Sequence, residues 1–212
     1  MRVCVWLRKI WWCLLLVPIV GCSDPNIGPS GQTNGIPGLT NTGASLSGNA
    51  DAVWEVECTP IDSSTPPCPV AGFQRAQRVN SPYIEWIAPP TGLAWIGVNE
   101  RATLSSGLGD DLERYQYIFR MQFDLSSFDP STVRLTLDWA SDNYFGGYRL
   151  NTSSFVGALS DNRQWIGFKT LTLASPAVTF TAGRNLLELR VLGDGQTDGL
   201  IVRNFQGTAT RR

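Results

Sequence analysis

The sequence predicts an all-β protein, an antiparallel β-sandwich of jelly-roll type preceded by a signal peptide and a flexible linker. Three observations predict it. From Val53 onward apolar residues recur with a period of two rather than 3.6, the alternating runs are short and bounded by Gly, Pro, Asn or Asp, and no window holds a helical stripe of three turns. Short alternating strands bury one face only, and a second sheet must cover that face.

The strands follow in order. The first two are expected near 53–57 and 72–79. Between 115 and 123, Tyr115, Tyr117, Phe119, Met121 and Phe123 alternate with Gln116, Arg120 and Gln122, so one face is core and the other wet. The same pattern sets Val133, Leu135, Leu137 and Trp139 against Arg134, Thr136 and Asp138, and Leu187, Leu189 and Val191 against Glu188 and Arg190. Further strands are expected near 147–157, 165–173 and 199–208.

The N-terminus stands apart from the fold. Arg2, Arg8 and Lys9 precede an apolar run from Ile10 to Val20, which is the layout of a secretory signal and is too short for a membrane-spanning helix. The junction Ile19-Val20-Gly21-Cys22 resembles the lipobox of bacterial lipoproteins. That resemblance implies cleavage after residue 21, lipidation of Cys22 and a durable anchor made of several acyl chains. Ser23 rather than Asp follows the cysteine, which favours the outer membrane or cell surface over inner-membrane retention. Ordinary signal cleavage beside a chance cysteine is the alternative. Residues 22–50 are rich in Gly, Ser, Thr, Asn and Pro with no aromatic, and are expected to be a disordered tether. About 28 such residues reach roughly 30 Å. The domain is then 51–212.

Composition removes whole classes of function. The chain has no histidine, so catalysis through Ser-His-Asp or Cys-His and zinc held by histidine are excluded. Processing leaves 14 of the 17 basic side chains against 18 acidic ones, a net charge of −4, with no electrostatic footprint for nucleic acid. Cys4 and Cys13 leave with the signal and Cys22 takes the lipid, so Cys58 and Cys68 remain as the one pair able to form a disulfide in an oxidising compartment.

Several blocks resemble galactose-binding-domain-like modules of bacterial exported proteins, including many sorted by PEP-CTERM tails. They are Ala94-Trp95-Ile96-Gly97, Tyr115-Gln116-Tyr117 to Phe123-Asp124-Leu125, Phe128-Asp129-Pro130, Trp139-Ala140-Ser141-Asp142-Asn143, Tyr148-Arg149-Leu150-Asn151, Phe180 to Val191, and Gly199 to Ala209. Together they cover roughly 80–210. Thr152 stands where the family has a glycine, and the chain ends at Arg211-Arg212 with no sorting helix after it. The resemblance implies the fold and a choice among sugar binders, adhesins and modules without a ligand.

The candidate site residues lie in loops. Asp142 and Asn143, followed by Tyr144, Phe145, Gly146, Gly147 and Tyr148, combine hydrogen-bonding oxygens with aromatic faces, as a sugar site requires. Asp142 and Asn143 could equally serve only the turn backbone. Asp142, Asp194 and Asp198 are candidate ligands of a structural calcium ion, although Gly193 to Gly199 lacks EF-hand spacing and also reads as a plain hairpin turn. Asp110, Asp111 and Glu113 read as a solvated loop. No two carboxylates are placed at a defined separation for glycoside hydrolysis, so no enzyme is expected. The expected function is a non-catalytic envelope lipoprotein binding a glycan, with a structural or adhesive protein acting through envelope partners as the alternative. Exposure of Tyr144, Phe145 and Tyr148 separates the two.

Overall fold

A computed structural model of the chain describes residues 33–104, 114–157 and 164–212. Cys22, the signal segment, Asp110, Asp111 and Glu113 lie outside the described residues. Eleven strands run in chain order: β1 (Thr33–Gly35), β2 (Leu46–Ser47), β3 (Ala50–Pro60), β4 (Gln74–Arg78), β5 (Ile96–Gly97), β6 (Tyr115–Asp124), β7 (Arg134–Asp142), β8 (Tyr144–Leu150), β9 (Lys169–Ala174), β10 (Arg184–Gly193) and β11 (Gly199–Thr210). All pairings are antiparallel, and the only helical turns among the described residues are 3-10 turns at Pro130–Thr132 and Gln164–Ile166.

The strand order β8-β10-β6-β3-β4-β5-β11-β7-β9 folds into two layers. The front layer is β8-β10-β6-β3-β4 and the back layer is β5-β11-β7-β9, with β4 and β5 joining them through Gln77↔Gly97 and Arg78↔Ile96. The period-two apolar residues meet between the layers: Trp54, Val56, Tyr117, Phe119, Met121, Leu187, Leu189 and Val191 from the front, and Leu135, Leu137, Trp139, Leu200 and Val202 from the back. A smaller apolar cluster of Val79, Trp86, Trp95, Ala102, Ala140 and Ile201 lies behind the back layer.

Composition places residues 33–50 in the expected tether. In the structure they belong to the sandwich. β1 pairs with the end of β11 through Thr33↔Thr210, Asn34↔Ala209 and Gly35↔Thr208, and Ile36 is buried in the main core. Thr42 is fully buried; its Oγ1 donates to the Ala94 carbonyl at 2.8 Å and accepts from Val202 N at 3.0 Å. Asp51 fixes the return into β3 by accepting from the backbone N–H groups of Gly43, Val53 and Trp54. Ordering here comes from backbone pairing with strands far along the chain, which composition does not report.

The cysteine expectation holds. Cys58, near the end of β3, is bonded to Cys68 with Cα atoms 5.9 Å apart, closing a loop that Asp62 braces by accepting from Ser64 N, Ser64 Oγ and Thr65 N.

Candidate functional site

The segment read as a loop from Asp142 to Tyr148 is mostly strand. Asp142 ends β7, and residues 144–150 are β8 paired with β10. A bulge at Gly146 shifts the register, so Val191 faces Phe145 while Arg190 faces Gly147. Both glycines have a steric reason to be there. Gly147 has φ +102 with Val156 O against the place a Cβ would take, and a Cβ on Gly146 would sit 2.7 Å from Arg190 Nε.

The expected aromatic platform is therefore divided between two sides. Phe145 turns inward, only 7% exposed, and stacks on Trp139 with ring centroids 3.8 Å apart. Tyr148 is half-buried against the core and lines an edge cavity of about 360 Å³ with Leu150, Val156 and Val178. Tyr144, half-buried and opposite Leu192, shares the outer side of the front layer with Arg190, and Asn143 is half-buried between β7 and β8. The correction concerns Phe145: alternation past the bulge sends it into the core, where it offers no face to a ligand.

The acidic residues gather at one end without forming a ligand set. Asp142 Oδ2 accepts from Trp86 Nε1 at 2.7 Å and from Thr197 Oγ1 at 3.1 Å. Asp198 Oδ2 accepts from the Tyr117 hydroxyl and from Gly195 N, both at 2.7 Å, while Asp194 Oδ1 accepts from Gln196 N in its own turn. Each carboxyl is thus held by separate donors, and among the described residues no group of three or more His, Cys, Asp or Glu is placed to hold a metal ion. The expected calcium set of Asp142, Asp194 and Asp198 is not met by this arrangement.

Asp142 Oδ1 and Asp198 Oδ1 are buried with no hydrogen-bond partner. Burial pushes the Asp142 carboxyl up to about 7, with the Asp194 charge adding to the rise and the Trp86 and Thr197 hydrogen bonds opposing it. Burial likewise holds Asp198 well above the usual carboxylate range, reinforced by the charges of Asp194 and Asp142. Both shifts favour the protonated form, that of Asp142 up to about pH 7.

The outer side of the front layer carries a feature that depends on register. Arg149 on β8 faces Glu188 on β10, Glu188 faces Arg120 on β6, Arg120 faces Glu55 on β3, and Glu55 faces Arg75 on β4. Charges of alternating sign thus cross five strands in one row. Arg149 grips Glu188 with both Nε and Nη2, and Glu188 is only 2% exposed. Arg120 Nε donates to Glu55 Oε2 at 2.8 Å, with Arg75 Nη1 at 3.9 Å from Glu55 Oε1. Aromatic rings flank the row: the Arg120 guanidinium lies 3.4 Å from the Phe73 ring centroid, and those of Arg149 and Arg190 lie 4.6 and 4.5 Å from Phe155.

Sequence reasoning read Arg120, Glu188 and Arg190 only as the wet half of their strands and did not single out Glu55, Arg75 or Arg149. Their alternation was visible. Their alignment required the strand registers, which no local pattern specifies.

No family model matches the chain, and no curated protein does. Among solved structures the chain is similar to a cyclase from Fischerella sp. TAU, at 19% identity and a TM-score of 0.45, covering 85% of this chain and 98% of that one. It is also similar to TmCBM61 in complex with beta-1,4-galactotriose, at 10% identity and a TM-score of 0.33, over 47% and 66% of the two chains. The GH31 alpha-xylosidase of Xanthomonas citri is similar at 13% identity and a TM-score of 0.34, over 87% of this chain and 19% of that one. At such identities the substrate of none of these proteins transfers to this chain.

Proposed function

We propose that the protein is a non-catalytic, lipid-anchored module of the bacterial cell envelope that binds glycan on the outer face of the β8-β10-β6-β3-β4 layer. The carrying observation is the row Arg149, Glu188, Arg120, Glu55, Arg75 between Phe73 and Phe155, with Tyr144 farther along β8. Sugar hydroxyls are recognised by fixed donors and acceptors near aromatic surface, and a ladder locked across five strands supplies both without reorganisation. A depression of about 270 Å³ lined by Val53, Glu55, Arg75 and Gln122 adjoins the row. The anchor rests on the Cys22 junction and the export reading on the Cys58–Cys68 disulfide.

For the acidic end we propose protonated carboxyls rather than structural calcium, because Asp142, Asp194 and Asp198 answer to separate donors.

One observation favours an adhesive role through a protein partner. Ile84 is 92% exposed, with Tyr83 and Ile166 also exposed, and Ile87 N donates to Trp165 O at 2.7 Å, bringing the two loops together. A glycan array probed with the full chain, with and without calcium, decides between them. Binding lost in Glu55→Ala or Tyr144→Ala supports the sugar site, and an empty array with retained binding to envelope protein supports the adhesive reading.

A further inference from the structure

We infer that the glycan taken on the outer face is acidic, with the carboxylate of a uronic acid residue held by Arg190; this rests on the sugar-binding reading of that face. Four arginines stand in or beside the charge row, with Arg184 at the far end of β10 opposite Asp124. Arg75 and Arg120 share Glu55, and Arg149 is committed to Glu188. Arg190 is within ion-pair distance of no carboxylate among the described residues.

Its guanidinium is nonetheless fixed in place. Nε and Nη2 both donate to the Gly146 carbonyl, at 2.9 and 2.6 Å, and the Phe155 ring lies against it. A carbonyl oxygen orients the group without neutralising it. Five N–H bonds belong to a guanidinium, and two here are used, which leaves the Nη1 donors and the second N–H of Nη2 for an incoming group. Those two nitrogens form the planar fork that matches both oxygens of a carboxylate.

The surroundings suit a sugar acid. Arg190 faces Gly147, beside which the Val156 carbonyl already stands, and on its other flank Ile118, which is buried although it lies on the outer side of β6. Tyr144, opposite Leu192, is one outward-facing position along from Arg190, about 7 Å away along the strand and on the scale of a single pyranose. A carboxylate on Arg190 and a ring against Tyr144 fit one uronate unit. Glu57, beyond Ile118 in the same row, is two strands away, about 10 Å, where solvent and salt screen its repulsion.

Titration calorimetry of the full chain with trigalacturonate and with neutral galactotriose tests the inference. The acidic sugar is expected to bind about tenfold tighter, and Arg190→Gln to bring the ratio of the two affinities close to one. Gly146→Ala, which keeps the arginine but pushes on its Nε, is the second variant and should reduce the same ratio if Arg190→Gln fails to fold. Equal affinities in the native protein, or an acid preference that survives both substitutions, overturn the inference and leave the sugar-binding reading intact. Binding of neither sugar overturns the inference, and with an empty glycan array it overturns that reading too.

Discussion

The Trp86 indole donates from Nε1 to Asp142 Oδ2 at 2.7 Å, so a side chain from the loop before β5 holds the carboxyl that ends β7. This bond ties the smaller apolar cluster to the strand end and places Asp142 where its second oxygen has no partner. Burial in that position favours the protonated form up to about pH 7.

The sign of the pH dependence follows. An acid whose folded pKa is raised, here from 3.8 to about 7, binds its proton more tightly in the folded state. Its contribution is full below about pH 4 and declines as pH rises to about 7, where the loss levels off at up to about 4 kcal/mol. Asp198 acts in the same direction. Urea denaturation between pH 4 and 8 should show falling stability, and Asp142→Asn should flatten the slope and melt higher than the native protein at pH 7.5. A flat native profile would show that the carboxyl is ionised or solvated.

The same end gives a metal prediction. Chelator should leave the melting temperature unchanged, because the carboxyls are held by protein donors. A drop on adding chelator that calcium reverses would return Asp142 and Asp198 to the role of ligands.

Arg149 and Glu188 form the buried member of the charge row. Removing Arg149 strips both of its hydrogen bonds from a carboxylate that is buried in the native protein, at a cost of about 2 to 3 kcal/mol. Arg149→Ala should lower the denaturation midpoint accordingly, and Glu188→Gln in that background should recover part of it. Arg75→Ala removes a long, exposed pair and should change stability by less than about 1 kcal/mol.

Neighbouring aromatics on β8 should behave differently. Phe145→Ala empties a core position stacked on Trp139 and is expected to cost about 3 to 5 kcal/mol. Tyr144→Ala, on the outer side, should alter stability far less while weakening glycan binding by about 1 to 3 kcal/mol. Parallel melting and binding curves check both, and unfolding by Tyr144→Ala would remove Tyr144 from the sugar site.

Cysteine chemistry offers two independent checks. Cys68→Ser opens a loop of about ten residues and should cost on the order of 2 to 3 kcal/mol in the oxidised protein. Cys22→Ser should release the protein from the membrane fraction and abolish labelling by a fatty-acid analogue, and retention with labelling would refute the anchor.

The sequence by itself determined which residues face the core. Strand alternation is a property of neighbouring residues, so Tyr117, Phe119, Met121, Leu135, Leu187 and Leu189 could be assigned to the interior before any partner strand was known. The disulfide was legible by counting. Cross-chain relationships were not. Only the tertiary structure drew Thr33–Gly35 out of the expected linker onto β11, turned Phe145 inward past the Gly146 bulge, gave Asp142 a donor from Trp86, and aligned Arg149, Glu188, Arg120, Glu55 and Arg75 in one row. The physical reason is register: a shift of one residue between strands reverses every side chain, and register is set by packing and backbone pairing across the whole sandwich, not by any local run of residues.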